Sequence, residues 1–280
     1  MKFNWLRTFE EFDSSEWVSR NGEKINYTGR SERITIDQAV SLYKENCRSW
    51  DLNEKPIYRG LYIDSDYFYI DPKGKYRQSA NSLGNTYNSF FDVLPSWKGV
   101  PRRSESLIMT NDLSVAQTYG DAYVMIPYDN YEMVVCPRGD IWSSFDLDHI
   151  NDLYFLSDLD YEMIELFEFT YRGEVEVNSD NIKEICNKVD SIDKDIISEK
   201  FGDKNDFVTA WLKIDLKLFD FVSKLLEFDN KFKIVNNQKD LSLSIQRTKW
   251  NGQSNEIWSN GEFLGISIEE YKNFKKKLNL

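Results

Sequence analysis

Residues 106–120 read SLIMTNDLSVAQTYG, and the texture changes halfway along. Ser106–Thr110 is a short apolar run of the kind that forms a buried strand. Thr110, Asn111 and Asp112 follow, and each of these side chains can cap a helix N-terminus. Leu113–Gln117 then reads as a short helix closing at Tyr119-Gly120, where glycine suits a C-cap. Upstream, KPIYRGLYI (55–63) and YFYI (67–70) are compact and β-prone; downstream, AYVMIPY (122–128) and YEMVVCP (131–137) read as two strands joined by the polar pair Asp129-Asn130. Residues 55–136 are therefore strand-rich, interrupted by the long polar loop DPKGKYRQSANSLGNTYN (71–88).

Outside this region the period changes. ITIDQAVSLYKENC (34–47) carries a helical stripe, with Thr35 or Asp37 able to cap it. From about residue 140 helical spacing lasts for about a hundred residues: Ile182, Ile185, Val189, Ile192 and Ile196 share one face, and Phe207, Trp211, Ile214, Leu218, Phe221, Val222 and Leu225 another. Strand texture then returns in LSLSIQ (241–246), EIW (256–258) and EFLGIS (262–267), the last two reading as a hairpin about the turn SNG. A last helix, SIEEYKNFKKKL, has Ser267 and Glu270 at capping-box spacing. The fold class is α+β, read as one domain: a lead-in with a helix over 1–54, a β-rich core over 55–139 and 240–280, and a helical insert over 140–239.

Composition bounds the chemistry. With 41% hydrophobic and 15% aromatic residues, the 280-residue chain can bury a core and still offer rings for stacking. The formal net charge of −12 argues against a dedicated nucleic-acid binder; the groups Lys98, Arg102, Arg103 and Lys272, Lys275, Lys276, Lys277 read as solvated surface or as local basic patches. The three cysteines have neither metal-ligand nor disulfide-framework spacing, which fits a reducing, cytoplasmic setting, as does the lack of a leader-like or membrane-length apolar run. A single histidine, His149, leaves no material for a His-rich zinc site or a two-histidine relay, and itself reads as a surface or capping residue. Chemistry here falls to carboxylates, hydroxyls, arginines and aromatics.

Four features can carry it, each with a plain structural reading beside the functional one. Arg59 in the strand IYRG suits a phosphate or carboxylate, or is an edge-strand arginine in water. Thr110-Asn111-Asp112 can orient a ligand, or simply caps the next helix. Glu256 opens a late strand and can face a cleft, or is an exposed strand-end acid. The loop RQSANSLGNTYNSF, with Arg77, Ser79, Asn81, Asn85, Thr86 and Asn88, offers donors for a pyrophosphate, or is an ordinary surface loop.

In this order the features resemble the Arg–Ser/Thr–Glu class of ADP-ribosyltransferases. Tyr58-Arg59-Gly60 matches the first motif, Met109-Thr110-Asn111 with Ala116 and Tyr119 the second, and Glu256-Ile257-Trp258, Gly261 and Phe263–Ile266 the third. PSWKGVPRRSES (95–106) is similar to a stretch in phage-encoded ADP-ribosyltransferase-like proteins. The match covers about residues 55–136 and 240–268. It departs in having Thr110 as the only hydroxyl of its motif, with Ser104 and Ser106 the alternatives in another register, and in Ser254 two residues before the glutamate, where arginine- and Rho-modifying relatives carry Glu or Gln.

The resemblance implies a two-sheet transferase core with an N-terminal helix and a long helical insertion before the last strands. It implies NAD as co-substrate, no metal, and transfer of ADP-ribose to a macromolecular acceptor, protein or nucleic acid, by a toxin or phage effector that could have a cognate inhibitor. Glu256, Arg59 and Thr110 would be catalytic, and Arg59, Gly60, Tyr119, Arg77, Asn85 and Ser106 would bind NAD. Three alternatives stand beside it: a non-catalytic interaction protein on the same fold, an NAD glycohydrolase with water as acceptor, and a hydrolase working through a carboxylate pair.

Overall fold

The computed structural model describes residues 17–18, 24–25, 30–73, 86–145, 156–229, 231–248 and 254–280. Arg77, Asn85, Ser79, Asn81 and His149 lie outside the described residues. The chain forms two compact units, one of Met1–Asn81, Val100–Gly139 and Lys231–Leu280, the other of Ser82–Gly99 and Asp140–Asn230. No helix among the described residues is long and apolar enough to cross a membrane.

The elements run β1 (Trp17–Val18), β2 (Lys24–Ile25), β3 (Arg30–Arg33), α1 (Ile36–Asn46), β4 (Ile57–Leu61), β5 (Tyr67–Asp71) and α2 (Thr86–Val93). Then come β6 (Leu107–Thr110), α3 (Leu113–Gln117), β7 (Asp121–Pro127), β8 (Met133–Val135), α4 (Leu156–Tyr171), α5 (Ile182–Asp190), α6 (Lys194–Phe201), α7 (Asp206–Leu212) and α8 (Leu218–Leu225). The chain closes with β9 (Lys233–Val235), α9 (Gln238–Thr248), β10 (Glu256–Ser259), β11 (Phe263–Ser267) and α10 (Ile268–Lys277). The architecture is α+β.

Among the described residues of the first unit, β1 pairs with β2, and nine antiparallel strands run in the order β3-β5-β11-β7-β4-β6-β10-β8-β9. In place of two separate sheets there is one ladder, but it narrows sharply. β4 meets β7 over five pairs and β6 over a single one, Tyr58 with Thr110. The chain then forces a fold there. Ser259 and Phe263 end β10 and begin β11, four residues apart; that segment spans at most about 14 Å. Four flat interstrand steps would need about 19 Å. The five-strand part and the four-strand part therefore turn toward each other about the β4–β6 junction. A single core cluster joins Ile57, Leu61, Phe68 and Val124 of one part to Leu107, Met109, Val135 and Ile257 of the other.

Several elements follow from local chemistry. Thr35 caps α1 in a full capping box with Gln38, Asp112 caps α3 by accepting from the N–H groups of Ser114 and Val115, and Ser267 accepts from Glu270 N–H at the start of α10. The last is half a box, because the Glu270 carboxylate goes instead to the Tyr67 hydroxyl and the Asn273 amide.

Other expectations are corrected. LSLSIQ is helical, inside α9, with Leu241 buried and Leu243 38% exposed. β10 and β11 form no hairpin, nor do β7 and β8; each takes its partners from elsewhere in the ladder. The polar loop ends earlier than its composition implies: Thr86, Asn88 and Ser89 are buried in α2, in the second unit, where Asp160 accepts from the Tyr87 N–H. In that unit the two apolar stripes each break. Ser191–Asp193 separates α5 from α6, and Lys213–Lys217 separates α7 from α8. After the first break the phase shifts by one residue, so Ile196 is 53% exposed while Ile197 is buried; after the second the stripe resumes with Leu218, Phe221, Val222 and Leu225 buried, and Ile214, inside the break, is 41% exposed.

Candidate functional site

Antiparallel register sets the geometry. Thr110 on β6 stands directly opposite Glu256 on β10, and Tyr58 on β4 stands opposite Thr110 from the other side. Cross-strand partners project to the same face, so Thr110 and Glu256 share one, with Ile108 and Trp258 beyond them. The alternate residues Leu107, Met109 and Ile257 belong to the core cluster. The pair therefore lies on the side of the four-strand part turned away from that core.

Arg59 is on the neighbouring strand, one residue past Tyr58. Alternation gives it the parity of Ile57 and Leu61, which are core residues. Its guanidinium spans the narrowed junction, and Nη1 donates to the Ile108 carbonyl at 3.0 Å. Where the β4–β6 ladder stops after one pair, this side chain takes over the bonding of β6. The arginine is buried and not an edge residue in water.

Glu256 is also buried and not an exposed strand end. Its partner is Arg103, whose Nε donates to Oε1 at 3.0 Å, with both side chains 2% exposed. This corrects the reading of Arg103 as part of a solvated basic group. Arg102 beside it is exposed and meets Glu105 at 3.4 Å. Arg103 arrives on a tight 3-10 turn, Arg103–Glu105, laid along β10: Trp258 Nε1 donates to the Pro101 carbonyl at 2.9 Å. The one signal in the sequence was the pair of arginines following a proline just before a strand; which of the two turns inward is set by the turn.

The second motif works mainly as architecture. Thr110 Oγ1 accepts from the Asp112 N–H at 3.2 Å, and Asn111 Oδ1 accepts from the Asn255 N–H at 2.7 Å. Asn255 in turn donates from its amide to the Cys136 carbonyl at 3.1 Å. Glu256 is thereby fixed from both sides by backbone, its own N–H donating to Gly139 O at 2.8 Å and its carbonyl accepting from Cys136 N at 3.0 Å. Asn111 and Asn255 hold the approach to Glu256, and sequence reasoning did not single them out for that.

The remaining residues are structurally occupied. The Ser106 hydroxyl donates to the Arg102 carbonyl at 2.6 Å, closing the 3-10 turn. Tyr119 is buried. A Cβ on Gly60 would lie 2.0 Å from the Ala116 carbonyl oxygen and 2.9 Å from Tyr119 Cβ, so the missing side chain makes room for the end of α3. Burial pushes the Tyr58 phenol above its ordinary value, and the Asp112 carboxylate adds to that.

A cavity of about 1090 Å³ opens elsewhere in this unit, lined among others by Tyr62, Asp64, Asp66, Asp121 and Glu269. Arg59, Thr110 and Glu256 are not part of its wall. Four carboxylates make it a poor setting for a diphosphate.

Comparison of the chain with family models, with curated proteins and with solved structures finds no match in any of the three.

Proposed function

We propose that this chain is a mono-ADP-ribosyltransferase that cleaves NAD and transfers ADP-ribose to a protein or nucleic-acid acceptor. One observation carries the reading. Three motif positions far apart in sequence, Arg59, Thr110 and Glu256, lie on three neighbouring strands, with Thr110 and Glu256 as direct cross-strand partners. The fold-back of the ladder about β4 and β6 is compatible with the two-sheet core that the resemblance implies.

In the proposed reaction the bond between ribose C1′ and the nicotinamide nitrogen breaks. Its electron pair leaves with neutral nicotinamide, and positive charge develops on the ribose. The Glu256 carboxylate accepts from the ribose 2′-hydroxyl and stabilises that charge, an effect worth about a hundred- to thousandfold in rate. A lone pair of the acceptor closes the new bond to C1′, and its proton passes to solvent. Thr110 serves the orientation of the site, and Arg59 and Ser106 reach the dinucleotide only by giving up their bonds to the Ile108 and Arg102 carbonyls. The helical second unit is the part of the chain left over for choosing the acceptor.

The burial of Glu256 and Arg103 favours a second reading, a structural ion pair in a non-catalytic partner-binding protein. A ribose can reach Glu256 only if what covers it moves. The deciding measurement is nicotinamide release from NAD by the purified protein beside Glu256→Gln, with cell extract added and labelled NAD followed into protein and nucleic-acid fractions. Turnover by the wild type, lowered about a hundredfold or more in a folded Glu256→Gln, and label in one fraction support the transferase. Turnover without label transfer leaves a glycohydrolase. Folded wild type that neither binds nor cleaves NAD refutes both and leaves the structural pair.

A further inference from the structure

We infer that Arg103 is the positioning residue for Glu256: it clamps one carboxylate oxygen so that the other meets the substrate hydroxyl in a fixed direction. The inference rests on the NAD reaction proposed above, and deepens it.

The geometry is specific. Arg103 Nε holds Oε1 at 3.0 Å, and among the described residues no hydrogen bond is made to Oε2. A glutamate has free torsions that ordinarily spread its carboxylate over several directions. A charge-assisted bond to one oxygen removes that spread and aims the second. The clamp is itself held. Pro101 lies over Trp258 and Arg103 over Glu256, two residues apart on both segments, so the turn follows β10. Glu105 N–H to Arg102 O at 3.1 Å, Ser106 N–H to Arg103 O at 3.2 Å and Ser106 Oγ to Arg102 O at 2.6 Å close the turn. The next residues are β6, the strand that pairs with β10 and brings Thr110 opposite Glu256. Clamp and carboxylate are thus fixed to the same pair of strands, which is what a preorganised acceptor for a 2′-hydroxyl needs.

The test compares steady-state NAD cleavage by the full chain, wild type, Arg103→Met, Arg103→Lys, Glu256→Gln and the double variant Arg103→Met/Glu256→Gln, each below its melting temperature. Arg103→Met is expected to lower kcat about ten- to a hundredfold, the loss that follows from misplacing a catalytic group by about 1 Å, with KM for NAD little changed. Arg103→Lys, which keeps the charge and can still bond one oxygen, recovers part of the loss. If Arg103 acts only through Glu256, the double variant is no slower than Glu256→Gln alone. Multiplying losses in the double variant would mean that Arg103 touches substrate itself and overturn the positioning role. A folded Arg103→Met with wild-type kcat would overturn it too, while leaving the NAD reading in place. A wild type that does not turn over NAD overturns both. Arg103→Lys provides the test where Arg103→Met does not fold, and a folded Arg103→Lys as slow as Glu256→Gln counts against the clamp.

Discussion

Replacing Gly60 by alanine tests whether the glycine of the first motif serves the fold or the ligand. In β4 an added Cβ meets the Ala116 carbonyl oxygen at 2.0 Å, the Ala116 carbonyl carbon at 3.0 Å and Tyr119 Cβ at 2.9 Å. These are not the far ends of flexible side chains. The Ala116 oxygen accepts from Tyr119 N–H at 3.0 Å, and Asp112 caps the other end of the same short helix. On its other side β4 is held to β7 by five pairs. Real Cβ atoms essentially never come within 3.0 Å of another heavy atom, so a gap of 2.0 Å has to open by about 1 Å between two pieces of main chain. Overpacking of this kind costs about 1–3 kcal/mol and sometimes more; with backbone on both sides the top of that range, about 3 kcal/mol, is expected. At about 2–4 °C per kcal/mol for a chain of this size, the melting temperature falls by about 6–12 °C. Thermal melts and urea midpoints of Gly60→Ala measure this, beside Gly173→Ala, where nothing lies within 4 Å and the change is expected within about 1 kcal/mol. A Gly60→Ala protein that melts within about 2 °C of the wild type, well short of the shift estimated above, refutes the seating of α3 against β4. Lost NAD binding in that stable variant would assign the glycine to ligand approach.

The second unit carries a pH signature at Glu162. Burial raises its carboxyl from 4.5 to about 7, against the opposing bond from the Phe207 N–H at 2.7 Å, with Asp206 and Asp158 adding to the rise. The folded state therefore keeps a proton that the unfolded state releases, and the contribution to stability is full below about 4.5 and lost as pH climbs toward 7. Urea midpoints of wild type minus Glu162→Gln should decline across that window, and a flat difference refutes the assignment. In α9, Leu241→Ala is expected to cost about 2–4 kcal/mol and Leu243→Ala less than about 1 kcal/mol, because the first is 1% exposed and the second 38%. Equal losses from the two, as a strand burying both on one face would give, contradict the helix.

What could be read from the chain alone were the features decided within a few residues. Thr35 with Gln38, Asp112 with Ser114 and Val115, and Ser267 with Glu270 are contacts across one helical turn, so composition and spacing suffice to find them. Strands β4 to β8, β10 and β11 were visible for the same reason, as short β-prone runs bounded by polar turns. Alternation misled in LSLSIQ, where Leu241, Leu243 and Ile245 keep a strand's period, yet the segment is helical and buries Leu241. The stripe through Ile196 lost its phase at the break after α5, a weak local event, whereas the stripe through Ile214 kept its face in α7 and α8 and lost only the residue inside the break.

The tertiary structure alone decided who pairs with whom. β10 and β11 are separated by Ser259-Asn260-Gly261, which looks like a hairpin turn, but hydrogen bonds to β6 and β8 claim one strand and bonds to β5 and β7 the other. Partner choice in a ladder depends on the burial of whole faces, which no local window contains. The site follows the same rule. Arg59, Thr110 and Glu256 are legible as an ordered set of motifs, whereas their strand neighbours, the packing of α3 on Gly60 and the guanidinium that meets Glu256 are not. Arg103 and its neighbour Arg102 are chemically identical in the sequence. One is in solvent and the other is buried against Glu256, because the 3-10 turn that follows Pro101 points only one of them at β10.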